Sequence, residues 1–264
     1  MYFNGKIVWI TGASSGIGEA LVYAFAKQGA KIILSARREN ELKRVAKTAD
    51  LKTDSHLILP FDLEDTSKVS EYIKRIISTF GRIDLLINNG GFSQRSEAKD
   101  TPLELDRKIM EVNYFSAVAL TKSVLPVMLK QQSGHIVVMS SIAGKFGFYL
   151  RSSYSAAKHA LHGFFESLRL ETEKEGIKTL IVCPGKIKTN ISVAAITADG
   201  KTHNEMDESH INAMSTGECA DLILKAIMNN KEEVLIGGKE LKAVWLKRHS
   251  PSIFNKIIRK QNPY

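Results

Sequence analysis

A chain of 264 residues, 44% hydrophobic and 25% charged, is long enough to bury a sizeable core in one α/β domain, and no internal repeat, low-complexity tract or Pro/Gly/Ser-rich linker divides it. Its two cysteines, Cys183 and Cys219, exclude a disulfide framework and are expected to be reduced packing residues. The net charge of +9 is concentrated in residues 239–264, where seven cations from Lys239 to Lys260 face the single acid Glu240; the rest carries no nucleic-acid motif, so no DNA or RNA binding is expected. An early first strand and the lack of an 18-residue apolar run argue against a signal peptide or membrane span, which makes a cytoplasmic location the expectation.

Taken in order, Lys6-Ile7-Val8-Trp9-Ile10 reads as a buried strand, Thr11-Gly12-Ala13-Ser14-Ser15-Gly16-Ile17-Gly18 as a glycine turn, and Glu19 to Gln28 as a helix. Gly12 permits the tight turn, Gly16 lets backbone approach a pyrophosphate, and Gly18 allows close helix–strand packing. The free N–H groups of the helix start suit phosphate, with Ser14, Ser15 and Ile17 completing the cradle. A glycine turn that holds no ligand is the alternative.

The second strand, Ile32 to Leu34, runs into Ser35-Ala36-Arg37-Arg38. An NAD site would place a carboxylate here for the ribose 2′-hydroxyl. Ala36 stands instead, so a 2′-phosphate can pair bidentately with Arg37 while Arg38 stacks or assists, which favours NADP. The alternative is that both arginines simply begin a solvated helix. Further apolar strands, Leu57–Leu59, Leu85–Ile87, His135–Met139, Thr179–Val182 and Val234–Ile236, alternate with helical stretches. That alternation predicts an α/β, doubly wound Rossmann fold: a mainly parallel sheet with helices on both faces and a crevice at the strands' carboxyl ends.

Tyr154 and Lys158 lie four residues apart in a helical pattern, roughly 5–6 Å from each other on one face. The ammonium is expected to pull the phenol below its ordinary pKa of about 10, so that it exchanges protons near neutrality. Just before them, Phe146, Phe148, Tyr149 and Leu150 are either the wall of a pocket for a bulky hydrophobic carbonyl compound or ordinary packing residues. Residues 186–216 lack periodicity and read as a substrate loop. His159, His162 and His203 show no metal-ligand spacing, and no metal is expected.

The turn TGxxxGIG at residues 11–18 and Tyr-x-x-x-Lys at 154–158 together resemble the short-chain dehydrogenase/reductase family, over about residues 5–238. Asp62, Asn88-Asn89-Gly90-Gly91, Asn113, Ser140-Ser141, Pro184-Gly185 and Thr189 fall in the family's order, and Asn88 to Ser96 resembles its orphan carbonyl reductases grouped as dehydrogenase/reductase member 7. The resemblance implies that Ser141, 13 residues before Tyr154, polarises the substrate carbonyl and that Tyr154 supplies the proton. It implies that Lys158 also holds the nicotinamide ribose and that Asn113 holds a water linking Lys158 to solvent. Asp62 and the Leu63 backbone would meet the adenine, Asn89 and Gly90 would line the cofactor, and Pro184, Gly185, Ile187 and Thr189 would surround the nicotinamide. Gly90 departs from the family's usual Ala, and a slightly looser turn without loss of activity is expected. A homodimer or homotetramer on the helices near 114–131 and 152–174 is a further family expectation.

The function expected is an NADP(H)-dependent oxidoreductase that passes hydride between nicotinamide and a ketone, aldehyde or secondary alcohol, with steroid-, retinoid- or xenobiotic-like substrates. The alternatives are a 3-oxoacyl-thioester reductase of fatty-acid synthesis and a non-catalytic NADP-binding sensor or scaffold. Residues 1–238 form the catalytic domain and 239–264 a basic extension of it. In that extension Ser250 is expected to cap a helix with Pro251 at its first position, and Ile253, Phe254, Ile257 and Ile258 recur at helical spacing. This amphipathic segment covers the pocket, packs on a subunit or makes a peripheral membrane contact, with Trp245 suited to the membrane boundary.

Overall fold

The computed structural model describes residues 1–205 and 213–261. Among the described residues, nine strands run in the order β1 (Ile7–Thr11), β2 (Lys31–Ser35), β3 (His56–Ile58), β4 (Leu85–Asn88), β5 (Gln94–Arg95), β6 (Gly134–Met139), β7 (Ile177–Pro184), β8 (Ile196–Thr197) and β9 (Glu233–Ile236). The α-helices are α1 (Gly16–Lys27), α2 (Glu39–Thr48), α3 (Val69–Phe80), α4 (Leu103–Met110), α5 (Ser116–Gln131), α6 (Ser152–Thr172), α7 (Thr216–Met228), α8 (Lys242–His249) and α9 (Pro251–Ile258). Seven strands form one sheet in the order β3-β2-β1-β4-β6-β7-β9, every neighbouring pair parallel. The order reverses between β1 and β4, and a ligand crevice opens at such a switch point.

Alternation along each strand sends side chains to two separate cores. Val8, Ile10, Ile32, Leu34, Val137 and Val182 meet helices α1, α2 and α7 on one face; Trp9, Ile33, Leu86, Ile136, Val138 and Ile181 meet α3, α5 and α6 on the other. Both faces being covered explains why the strands read as continuous apolar runs. Each such side chain contributes about 1.5–3 kcal/mol on full burial. Trp9 is wholly buried and its indole N–H donates to Ser35 Oγ at 2.8 Å, so the polar end of the largest core residue is satisfied.

The run Leu103–Gln131 is long and apolar enough to cross a membrane by length and composition. Its Ala117, Leu120, Val124 and Met128 nevertheless pack into the second core, as a core helix does. A π-helical turn at Glu111–Phe115 joins α4 to α5 and carries Asn113. Cys183 and Cys219 are both buried and unbridged, and burial pushes each thiol up to about 12, in line with inert packing.

Two local expectations need correction. The region read as aperiodic holds β8, which pairs in parallel with β5 as a second, two-stranded sheet; residues 206–212 of that substrate loop lie outside the described residues. Pro251 opens α9 as expected, but Ser250 at its N-cap makes no side-chain capping bond, because its backbone (φ −144°, ψ 63°) also terminates α8.

Candidate active site

The crevice above β1 and β4 is a cleft of about 1390 Å³ lined by residues from every crossover on the carboxyl side of the sheet. Thr11, Gly12, Ser14, Ser15, Gly16 and Ile17 form its floor. Gly12 has φ +65°, and a Cβ on it would stand 2.8 Å from Asn89 Nδ2 and from the Gly90 backbone; a Cβ on Gly18 would meet the Gly12 carbonyl at 2.2 Å. The turn therefore fits against β4 only with glycine at both positions. Thr11 Oγ1 accepts from the N–H groups of Asn89 and Gly90, and Asn89 Nδ2 donates to the Thr11 carbonyl at 2.9 Å, so the two halves of the switch point are tied together. Ser15 at the α1 N-cap makes no side-chain capping bond. The first N–H groups of α1 are left facing the cleft, which suits a pyrophosphate.

Gly90 does not loosen this turn. Leu63 Cδ1 occupies the space where an alanine methyl would lie, at 2.3 Å from that position, so the missing methyl is replaced by a neighbouring side chain. Beyond β2, Ala36, Arg37 and Arg38 line the cleft together with Asp62 and Leu63. Arg37 Nη1 stands 3.8 Å from Asp62 Oδ2, with the arginine side chain 74% exposed. A cation and a hydrogen-bond acceptor thus lie side by side where the adenosine end of a dinucleotide reaches, and a pair this exposed is held weakly enough to re-form around a phosphate.

At the other end of the cleft stand Ser141, Tyr154 and Lys158. The backbone of Ser141 is extended as it leaves β6, and its hydroxyl accepts from the Ala143 N–H. The charge of Arg151 and the neighbouring Ser141 side chain both favour the charged form of the Tyr154 phenol. Lys158 is 4% exposed and donates to the Met139 carbonyl at 2.8 Å, with its ammonium 5.6 Å from the centre of the Tyr154 ring. Burial pulls this ammonium down to about 8. The expectation of a phenol depressed by Lys158 is not met: Tyr154 is buried, and desolvation of the phenolate raises its pKa above the ordinary value despite Ser141 and Arg151. Spacing along a helix gives proximity but no measure of burial.

Asn113 donates through Nδ2 to the Phe92 and Ile109 carbonyls, while its buried Oδ1 has no partner among the described residues. A Cβ on Gly91 would lie 2.5 Å from that Oδ1 and 3.7 Å from Lys158 Nζ, so a gap kept free by glycine separates the two. An unpartnered buried acceptor facing an ammonium across such a gap fits a bound water. Pro184, Gly185, Ile187 and Thr189 line the cleft after β7. All the residues singled out from sequence for cofactor or catalysis therefore border one cleft, save Gly18, which packs beneath its floor.

With that geometry in place, comparison with known proteins is decisive. A family model described as short chain dehydrogenase matches residues 6–200. The chain belongs to the short-chain dehydrogenase family. It is 42% identical over 266 residues to the "Dehydrogenase/reductase SDR family protein 7-like" of Anopheles gambiae, covering 98% of this chain and 84% of that one. It is 42% identical over 267 residues to the human "Dehydrogenase/reductase SDR family member 7", covering 97% and 78%. Among solved structures, a short-chain dehydrogenase from Streptomyces avermitilis superposes with a TM-score of 0.82 at 28% identity, covering 96% of each chain. As a short-chain dehydrogenase the protein is an oxidoreductase that works with a nicotinamide cofactor on a small molecule, and enzymes of this family commonly oligomerise.

Several site residues of this short-chain dehydrogenase carry no sequence motif. Ser140 Oγ donates to the Lys158 carbonyl at 3.1 Å and lies 3.0 Å from His162 Nε2, so His162, assigned no role from sequence, helps tie α6 to the end of β6. His162, Cys183 and Glu233 hold potential metal ligands within 4.8 Å of one another, yet Lys145 already places its ammonium against both Glu233 and His162. Lys145 supplies there the positive charge that a metal would bring. The tail contributes too: Ile258 lines the cleft, and buried Phe254 packs edge-on against Phe146, with ring centres 4.9 Å apart. No local spacing announces contacts between residues more than a hundred positions apart.

Proposed function

We propose that this short-chain dehydrogenase reduces a bulky hydrophobic ketone or aldehyde with NADPH, and runs the reverse oxidation on the corresponding secondary alcohol. The observation that carries the reading is the Tyr154 phenol, which borders with Ser141 and Lys158 a cleft whose other end presents Ala36, Arg37 and Arg38. Bound nicotinamide would supply the hydride. A substrate carbonyl oxygen seated between the Ser141 and Tyr154 hydroxyls accepts a hydrogen bond from each, and Tyr154 delivers its proton as charge grows on that oxygen. The raised pKa of Tyr154 keeps that proton on the phenol at neutral pH, which suits an acid in the reductive direction. Lys158 holds the nicotinamide ribose hydroxyls and balances the phenolate left behind, with Asn113 and its water returning the proton from solvent.

The absence of a carboxylate at Ala36 supports the 2′-phosphate, which Arg37 takes over from Asp62 while Asp62 turns to the adenine. Phe92, Phe148, Tyr149, Ile196 and Ile258 border the cleft beside the reacting hydroxyls and support a hydrophobic substrate. Exposed Phe115 and Leu170 on the outer helices support a homo-oligomer. The tail supports two roles at once. The inner face of α9 brings Ile258 to the cleft and packs Phe254 against Phe146, while Ile253, Ile257 and Trp245 are exposed among lysines and arginines, as peripheral attachment to an anionic membrane requires. A panel of hydrophobic carbonyl compounds, benzil among them, with NADPH oxidation followed by absorbance tests the reading; carbonyl-dependent oxidation supports it, and NADPH that binds but is never oxidised overturns it.

A further inference from the structure

Gln94 is wholly buried, at 0% exposure. Its side chain spends every hydrogen-bonding group on three separate parts of the site. Oε1 accepts from the N–H groups of Ser153 at 2.9 Å and Tyr154 at 3.4 Å, 59 and 60 residues away. These are first-turn donors of α6 that have no partner within their own helix. Arg151, at the N-cap position of α6, makes no side-chain capping bond, so the catalytic helix is capped across the fold rather than by its own sequence. Nε2 of Gln94 points to the hydroxyls of Thr101 at 3.0 Å, Ser96 at 3.2 Å and Ser152 at 3.3 Å.

The backbone of Gln94 belongs to the small sheet. It lies in register with Ile196 of the substrate loop, whose N–H donates to the Ser93 carbonyl at 2.9 Å. Ile196 in turn packs with Tyr154, Ala143 and Phe148 in a satellite core beside the reacting hydroxyls. A two-residue ladder is marginal by itself. It persists because the residue at its centre is pinned from behind by the first turn of the catalytic helix.

We propose that Gln94 is a positioning residue that couples the substrate loop to Tyr154: forming the β5–β8 ladder fixes Gln94, and Gln94 fixes the backbone from which the phenol projects. The phenol then reaches its working position against Ser141 when the loop is seated, so the order of the loop is read out at the proton donor. The catalytic consequence rests on the reading of Tyr154 as the acid, whereas the coupling itself is a property of the fold.

The full-length protein tests both parts through two variants. Gln94→Met keeps the side-chain volume and removes every hydrogen bond. Gln94→Glu keeps an acceptor oxygen for the two α6 N–H groups, and the three hydroxyls can turn their hydrogens toward its carboxylate. With benzil as the carbonyl probe, Gln94→Met is expected to lower kcat by about tenfold or more, with NADPH affinity within about twofold of the parent and Gln94→Glu restored to within about threefold. A residue that merely supports folding would lower the melting temperature of Gln94→Met without changing kcat per NADPH-binding site. Amide exchange supplies the second readout: Gln94→Met is expected to speed exchange both in the first turn of α6 and in residues 193–197. Faster exchange at α6 alone, unchanged kcat per site, or a Gln94→Glu as impaired as Gln94→Met overturns the proposal. Should the parent turn over no carbonyl compound, the exchange experiment still decides the coupling while the reading of Tyr154 fails separately.

Discussion

The cofactor end and the substrate end of the cleft are built in opposite ways. At the cofactor end, Gly12, Gly18, Thr11 and Asn89 are locked by backbone contacts that a single methyl group would break, and the partners come from the ends of adjacent parallel strands. At the substrate end, the wall is assembled from the two-residue strands β5 and β8, the turn at Ile142–Gly144 and the tail helix α9. Glu240 ties that tail to the loop after β7 by accepting from the Lys186 N–H at 2.8 Å. The first end is set by a general turn for phosphate; the second is a set of long-range side-chain contacts that can be exchanged without disturbing the sheet. A fold can thus keep one cofactor geometry while its substrate wall varies.

Lys158 stands at the junction of the two ends, and replacing it has the largest expected effect. Lys158→Met should lower turnover by about a hundredfold or more and weaken NADPH as well, since the same ammonium serves both. Its depressed pKa means the folded protein holds the ammonium at a cost below pH 8, relieved as pH rises toward the ordinary 10.5. Lys158→Met is therefore also expected to melt at a higher temperature than the parent at neutral pH, with the gain shrinking above pH 8; a lower melting temperature would show that the buried charge is fully compensated.

At the cofactor end alone, Arg37→Ala should weaken NADPH by about 1.5–3 kcal/mol while leaving NADH nearly unchanged. Fluorescence titration of both cofactors checks this, and equal losses would mean that Arg37 does not meet the 2′-phosphate. At the substrate end, kcat/KM for carbonyl reduction should hold steady below pH 8 and fall above it as Lys158 loses its proton, the sign expected for an ammonium lowered to about 8. A profile rising through pH 8 would point to a phenolate base as the working form instead.

The smallest expected effect concerns the outer face of the tail. Trp9 is wholly buried and Trp245 is 62% exposed, so a blue shift of tryptophan emission on adding anionic vesicles reports Trp245. The shift should be weak, absent with neutral vesicles, reduced by salt, and lost in Ile253→Asp/Ile257→Asp, which leaves the inward-facing Phe254 and Ile258 in place. A shift retained by that double variant would assign the binding to charge alone.

The same contrast explains what the sequence made legible. Seven core strands, the glycine turn and the Tyr154 and Lys158 pair follow from local periodicity and from spacing within one or two elements, whereas Ser141 was implied by the family resemblance. Burial inverted the expected direction of the Tyr154 shift, because desolvation depends on packing from α4, β5 and the substrate loop rather than on Lys158 four residues away. The role of Gln94 was invisible for the same reason, and the apolar face of Phe254 was legible while its partner was not. Their neighbours lie 59 and 108 residues off, beyond the reach of local spacing. Leu63 filling the space beside Gly90 shows how one missing methyl can be compensated by a side chain that spacing never connects to it.

The most direct test of the account is Tyr154→Phe, measured for both turnover and NADPH affinity. Removing only the phenolic hydroxyl should lower kcat for carbonyl reduction by about a hundredfold or more while the NADPH dissociation constant stays within about twofold, because the cofactor is held by the glycine turn, Arg37 and Lys158. Retention of most of the activity would contradict the assignment of Tyr154 as the proton donor.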